Sequence, residues 1–270
     1  MNYYSSNGIT PVNLPDIQHM NDNRNVSIDK VGVKRLRYPV TILSEQGDIA
    51  TVGEFSMSVS LPAEKKGTHM SRFLEGLERI SGAMTQDHFI DLARDVASRL
   101  DAASCELEVK FPFFIQKVAP VSNVVSNLDM DVVWRVVIDG ENSPAFSVTT
   151  VVPATSLCPC SKKISEYGAH NQRSLISITA TLRGSVSIES LVSIAQEAAS
   201  CEVYGILKRP DEKYVTERAY DNPKFVEDIV RDVTVALRQD KRIARFVVEV
   251  ENFESIHNHS AYAMVAEQAC

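Results

Sequence analysis

Apolar and polar residues alternate one for one at Phe55, Met57, Val59 and Leu61, the repeat of a strand with one buried face. That run belongs to a pair. Val33 to Leu43 and Ile49 to Leu61 are rich in β-branched and aromatic residues, and Ser44-Glu45-Gln46-Gly47-Asp48 between them predicts a hairpin. At K-K-G-T-H-M-S-R-F, Lys65 to Phe73, the alternation stops and a short helical stretch is expected to about Ile80. From near Thr85 to near Ala102 the spacing of Phe89, Ala93, Val96, Ala97 and Leu100 predicts a helix with one apolar face. Period two returns over Cys105, Leu107, Val109, Phe111, Phe113 and Ile115, and Met130 to Ile138 gives another strand. The first half therefore reads ββααββ.

The second half repeats the order. Strands are expected at Ala145–Val152 and Leu175–Leu182, and a helix from Ile188 to about Tyr204 with Leu191, Val192, Ala195, Ala198 and Ala199 on its core face. A further helix should open at Asn222-Pro223, an N-cap followed by proline at the first helical position, with Val226, Ile229, Val230, Val233 and Leu237 turned inward. Arg245–Glu251 and Ser260–Ala266 complete the set. The expected organisation is α+β: an N-terminal arm over residues 1–30, one ββααββ unit over 31–140 and a second over 141–270, giving two antiparallel sheets, each with a helix pair on one face.

Two stretches lack a period. Ser156 to Arg173, S-L-C-P-C-S-K-K-I-S-E-Y-G-A-H-N-Q-R, reads as a long structureless connection, and such a connection inside a compact unit usually carries function. R-P-D-E-K-Y-V-T-E, Arg209 to Glu217, reads as a charged loop.

Composition narrows the function classes. The chain has 270 residues, 44% of them hydrophobic, enough for a real core, and a net charge of −7 that argues against a general nucleic-acid or anionic-membrane surface. No run approaches the roughly 18 apolar residues of a membrane span, and Met1-Asn2-Tyr3-Tyr4 does not open a signal peptide, so a cytoplasmic location is expected. Five cysteines are too few and too scattered for a disulfide framework, which leaves thiolate chemistry or plain burial.

A thiol, an imidazole and carboxylates form a borderline-soft donor set suited to Zn²⁺ or another first-row divalent ion. Cys158 and Cys160, split by one proline, are too close for half of a structural zinc knuckle, so one thiolate is expected as ligand and the other nearby. His170 follows Gly168-Ala169, where the backbone can turn tightly. His257 and His259 lie two apart beside Glu254; in an extended segment both rings would project to one side, and a turn would undo that. Glu212 could complete a metal site, while Glu227, in the first turn of its helix, is already favoured there by the helix dipole.

These pieces together, S-L-C-P-C-S-K with G-A-H-N-Q-R, then D-E-K-Y-V-T-E, N-P-x-F-V-E-D and E-S-I-H-N-H, with G-T-H-M-S-R-F upstream, resemble the prokaryotic GTP cyclohydrolase IB family over nearly the whole chain after the arm. The resemblance implies a tunnelling fold of two ββααββ units, assembled as a homotetramer with active sites at subunit interfaces. It implies metal-dependent conversion of GTP and water to 7,8-dihydroneopterin triphosphate and formate, the entry to folate and other pterins, with no organic cofactor. By resemblance Cys158, His170 and Glu212 look like ligands of a Zn, Mn or Fe ion, with Cys160 adjacent and able to assist. His257 looks like the proton-transfer group, supported by His259 and Glu254, and Glu227 like the carboxylate that anchors the guanine edge. Lys162, Lys163, Arg173 and Arg72 are the cations nearest the motifs and the candidates for the triphosphate. Two alternatives share parts of this pattern: a nitrile reductase of the same fold using NADPH and a nucleophilic cysteine, and a non-catalytic purine or pterin binder.

Overall fold

The computed structural model describes residues 16–140 and 143–268. The first fifteen residues of the expected arm, and Cys270, lie outside them. Residues 20–22 run beside 64–66, with Asp22 N donating to the Glu64 carbonyl at 2.9 Å and Lys66 N to that of Met20 at 3.1 Å.

In the first half, β1 (Ile28–Ile42) and β2 (Ile49–Leu61) form the expected hairpin, with Leu36 opposite Phe55 and Val40 opposite Thr51. The alternation in β2 is realised as burial: Phe55, Met57, Val59 and Leu61 are in the core while their neighbours stay half-exposed. Next come α1 (Ser71–Leu77) and α2 (Gln86–Arg99). Thr85 caps α2 by accepting from His88 N at 3.1 Å, and Phe89, Leu92, Ala93 and Val96 are buried. The long hairpin of β3 (Ser104–Val118) and β4 (Val125–Asp139) pairs in unbroken register from Ser104 opposite Asp139 to Val118 opposite Val125.

The second half contains β5 (Ala145–Leu157), α3 (Pro159–Ile164), β6 (Asn171–Leu182), α4 (Ile188–Ala198), β7 (Cys201–Glu202), α5 (Arg209–Asp221), α6 (Val226–Gln239), β8 (Ile243–Asn252) and β9 (Ala261–Gln268). Its frame is again ββααββ, with α3, β7 and α5 inserted.

The strands form one antiparallel sheet in the order β1-β2-β3-β4-β5-β6-β8-β9, with β7 pairing to β5. The sheets of the two units are thus continuous rather than separate, because β4 pairs with β5, Val133 opposite Thr149. Helices α2, α4 and α6 pack on the sheet. The seam between the halves is closed by aromatic side chains: Trp134 of β4 lies 5.9 Å from Phe89 of α2, 5.4 Å from Phe111 of β3 and 5.8 Å from Phe146 of β5. Such tilted and edge-to-face pairs each contribute about 0.5–1.5 kcal/mol beyond their buried area.

Four expected boundaries are corrected. Ser156–Arg173 is not structureless: β5 runs on to Leu157, α3 occupies its middle and β6 starts at Asn171. Arg209–Glu217 is helix α5, not a loop. The last helix starts at Val226 rather than at Pro223, because Asn222 ends α5 and its amide donates to the carbonyls of Ala199 and Ser200 at 3.0 and 3.3 Å. Lys224 N is likewise engaged by the Leu157 carbonyl at 3.0 Å, and Asp228 caps α6 by accepting from Phe225 N at 3.0 Å. Finally, α4 stops at Ala198, since Cys201 and Glu202 leave the helix to pair with Thr155 and Ala154.

Candidate active site

The candidate chemistry is organised by an excursion between β5 and β6. Cys158 follows the β5 strand and caps α3: its backbone is extended, Pro159 supplies the first helical position and Cys158 Sγ accepts from Ser161 N at 3.4 Å. Gly168, at φ +116°, takes a backbone conformation that glycine alone enters freely and turns the chain back. Cys158 N then donates to the His170 carbonyl at 3.1 Å, and Ser161 Oγ donates to the Cys158 carbonyl and accepts from His170 N, both at 3.2 Å. Cys158 and His170 are therefore side by side, clamped by one serine hydroxyl. Cys158 is half-buried and Cys160, inside α3, is exposed.

Glu254 joins this turn. Its carboxylate lies 3.8 Å from His170 Nδ1, and both side chains are only 15% exposed. It is positioned by backbone bonds, Phe253 N to the Arg173 carbonyl at 2.9 Å and Glu254 N to the Asn252 carbonyl at 3.0 Å. The sequence pairs Glu254 with His257; the structure turns it toward His170. His257 and His259 sit in the β8–β9 connection, which is a turn rather than an extended segment, yet their rings stack at 5.1 Å and 15°.

Below His170 runs a polar chain that the motifs do not reveal. His170 Nδ1 is 3.0 Å from Gln172 Oε1, Gln172 Nε2 donates to Ser156 Oγ at 2.8 Å, the Ser156 and Ser174 hydroxyls are 3.0 Å apart, and Ser174 Oγ donates to Asn252 Oδ1 at 2.7 Å. All four partners are buried. A signal was available in the sequence, because Gln172 and Ser174 share the inward alternation of Ile176, Ile178 and Ala180 and are polar where that pattern asks for apolar residues.

The remaining candidates are more dispersed. Glu212 is exposed in the first turn of α5, and Glu227 is exposed in the first turn of α6. Lys162 Nζ lies 4.3 Å over the Tyr220 ring and donates to the Tyr220 carbonyl, which ties α3 to α5. Lys163 and Arg173 are exposed. Arg72 lies apart from the turn, in α1, and donates to the Arg99 carbonyl at 2.7 Å. Among the described residues, no three His, Cys, Asp or Glu side chains gather as a metal-holding group, so Cys158, His170 and Glu212 do not stand as an assembled ligand set.

Two carboxylates, one buried and one half-buried, fix the inserted segments to the first half. Asp211, beside Glu212, accepts from Val121 N, Ser122 N and Lys208 N at 2.8 Å each and from Ser122 Oγ at 2.5 Å. Burial alone would raise its pKa, but the bonds from Ser122, Lys208 and Val121 outweigh it and hold the carboxyl well below the usual range. Glu202 of β7 takes a bond from Lys117 of β3, whose ammonium also donates to Gln196 Oε1 at 2.9 Å. Burial again acts upward on Glu202, and Lys117, Tyr204 and Arg218 bring it below the ordinary value. Burial instead keeps two other cysteines as thiols: Cys105 is pushed up to about 12, first by burial and then by Glu106, and Cys201 is raised chiefly by burial.

The family described as type I GTP cyclohydrolase folE2 matches residues 14–263. A protein from Dechloromonas aromatica named GTP cyclohydrolase FolE2 1 is 57% identical over 251 residues, 93% of this chain and 94% of its own length. One from Burkholderia multivorans named GTP cyclohydrolase FolE2 is 52% identical over 256 residues, with the same coverage. Among solved structures, uricase from Arthrobacter globiformis aligns with a TM-score of 0.52 at 8% identity, covering 89% of this chain and 93% of that one. Urate oxidase from Bacillus subtilis 168 aligns at 0.52 and 7%, covering 88% and 98%. These structural likenesses concern the fold, which is the tunnelling fold.

Proposed function

The chain belongs to the FolE2 family of type I GTP cyclohydrolases, and from that premise we propose how its own residues convert GTP and water to 7,8-dihydroneopterin triphosphate and formate. We read the membership as the prokaryotic IB type that the motifs resemble. The observation that carries the reading is the turn that sets His170 beside Cys158 through the Ser161 clamp.

The donor set fits a divalent ion. One turn holds Cys158 and His170 together by backbone and Ser161 bonds, and a carboxylate from Glu212 would complete a mixed S, N, O set suited to Zn²⁺, Mn²⁺ or Fe²⁺. When bound, such an ion lowers the pKa of water toward about 7 and so supplies hydroxide at neutral pH for attack at the purine C8. Cys160, two residues after Cys158 and exposed in α3, would assist this set. His257, with its ring stacked on that of His259, moves the protons that opening of the imidazole ring requires. Glu227 accepts from the guanine N–H edge and orients the base, while Lys162, Lys163, Arg173 and Arg72 neutralise the triphosphate.

The assembly we propose is a homotetramer with active sites at subunit interfaces. Two features support it. Strands β1 and β9 end the sheet with no further strand beside them among the described residues. Apolar side chains also flank the site in the open: Ile164 is 77% exposed, Tyr167 97% and Ile256 63%. An interface is also where residues of one copy complete the site of the next. We place the enzyme in the cytoplasm, without nucleic-acid or membrane partners, a reading that the net charge of −7 supports. Among the described residues no helix is long and apolar enough to cross a membrane.

The test is to incubate metal-stripped protein with GTP and each of Zn²⁺, Mn²⁺ and Fe²⁺, following formate and the fluorescence of the oxidised pterin. Both products should appear only with metal. Full turnover after stripping would remove the metal role; GTP binding without product under any metal would favour the non-catalytic binder.

A further inference from the structure

We infer that Gln172 is a positioning residue that fixes the neutral tautomer of His170, keeping the proton on Nδ1 and the lone pair on Nε2, where a cation can bind. The inference rests on the proposed role of His170 as a ligand. A neutral imidazole has one N–H and one lone pair, and the partner of one nitrogen decides what the other can do.

Two groups face Nδ1. Gln172 Oε1 is 3.0 Å away and Glu254 Oε2 is 3.8 Å away. The amide of Gln172 is not free to turn over. Its Nε2 donates to Ser156 Oγ, the Ser156 hydroxyl is next to that of Ser174, and Ser174 donates to Asn252 Oδ1. Were Gln172 reversed, its oxygen would face Ser156 and its NH₂ would face His170. Ser156 would then have to donate to Gln172, Ser174 to Ser156, and the amide of Asn252 would have to turn to donate to Ser174. The chain thus has two polarities, one for each tautomer of His170. Water cannot satisfy a half-reversed chain, because Gln172 is 6% exposed, Asn252 2%, and Ser156 and Ser174 are fully buried. Glu254 biases the choice without making it: its carboxylate oxygen, 3.8 Å from Nδ1, is too far for a hydrogen bond, so it favours a proton on that nitrogen but leaves Gln172 as the group that holds it. A relay across β5, β6 and β8 and a carboxylate beyond β8 thereby choose which nitrogen of one histidine is left open.

The experiment uses full-length, metal-stripped protein labelled with ¹⁵N-histidine at about pH 8.5, above the ordinary histidine range. The His170 signals are assigned by their loss in His170→Gln. Long-range ¹H–¹⁵N spectra should show His170 with its proton on Nδ1. In Gln172→Met, which keeps the length of the side chain but offers no acceptor, the proton should shift toward Nε2, and Zn²⁺ affinity measured against a competing chelator should fall roughly 10- to 100-fold. Gln172→Glu restores an acceptor at Nδ1 and should keep the wild-type tautomer and most of the affinity. A wild-type His170 protonated on Nε2 overturns the inference without need of any variant. So does a folded Gln172→Met protein with unchanged tautomer and unchanged Zn²⁺ affinity. An Nδ1–H tautomer that depends on Gln172, in a protein that binds no Zn²⁺, upholds the tautomer lock and removes the proposed role of His170 as a metal ligand.

Discussion

The two halves of the chain build the same four-stranded frame but join its strands differently. In the first half, residues 43–48 connect β1 to β2, and 119–124 connect β3 to β4. In the second, 158–170 connect β5 to β6, 253–260 connect β8 to β9, and β7 and α5 stand between α4 and α6 with no counterpart before them. Cys158, His170, Glu212, Glu254, His257 and His259 all lie in these enlarged connections. The sheet supplies fixed points, and the connections between its strands and helices carry the candidate chemistry. The enlargement requires anchoring. Asp211 and Glu202 tie α5 and β7 of the second half to the β3–β4 end of the first, so the plain half acts as the abutment of the chemical one.

Substitutions on either side sharpen this contrast. The largest effect is expected in the β8–β9 connection: His257→Ala should slow turnover by roughly 10²- to 10⁴-fold while leaving metal content unchanged, read by steady-state kinetics beside metal analysis. Loss of metal in that variant would make His257 a ligand instead. The matching change in a connection of the first half, Gln46→Ala, should leave turnover unaltered.

A smaller effect belongs to α6. If Glu227 anchors the guanine edge as proposed, Glu227→Gln puts a donor where the base needs an acceptor and should weaken GTP binding by roughly 10- to 100-fold, measured by titration calorimetry. Unchanged affinity would remove Glu227 as the base anchor.

The smallest effect concerns the abutment and appears only in acid. Asp211 and Glu202 have folded pKa values below their unfolded ones. Their contribution to stability is therefore complete above the unfolded carboxylate range, near 4, and is lost as pH falls through the depressed folded values. Thermal melts from about pH 7 to pH 3 should show the midpoint falling in the wild type. Asp211→Asn should start lower at neutral pH and lose less on acidification, and an acid limb as steep as that of the wild type would contradict the anchoring role.

Much of the frame was legible in the residues because burial enforces periodicity. The alternation from Cys105 to Ile115 and the helical face from Phe89 to Leu100 each state which side meets the core, and both lie in elements of the expected type. Boundaries failed where a long-range bond overrides the local signal. Asn222-Pro223 has the chemistry of a helix start, but the Asn222 amide is taken by the carbonyls of Ala199 and Ser200, so it ends one helix instead. The charged run from Arg209 hides a helix because most of its surface faces outward, with Asp211 and Ala219 its only buried residues. Within the site, cysteines, histidines and exposed carboxylates were visible because those residue types have few other uses in such a pattern. Ser156 and Asn252 were not, and Gln172 and Ser174 showed only as polar residues on an inward-facing alternation, since a buried amide or hydroxyl acquires meaning only from the atom opposite it.

By itself the sequence determined the order of the two ββααββ frames, the family and the residue types available for chemistry, since periodicity and motif are properties of neighbours along the chain. Tertiary structure alone decided that the two units share one sheet, that Glu254 faces His170 and that four buried groups on three strands line up beneath that imidazole. Those relations join positions up to 96 residues apart, as Ser156 is from Asn252 by way of Ser174, and only the pairing of β5, β6 and β8 brings them within hydrogen-bonding distance.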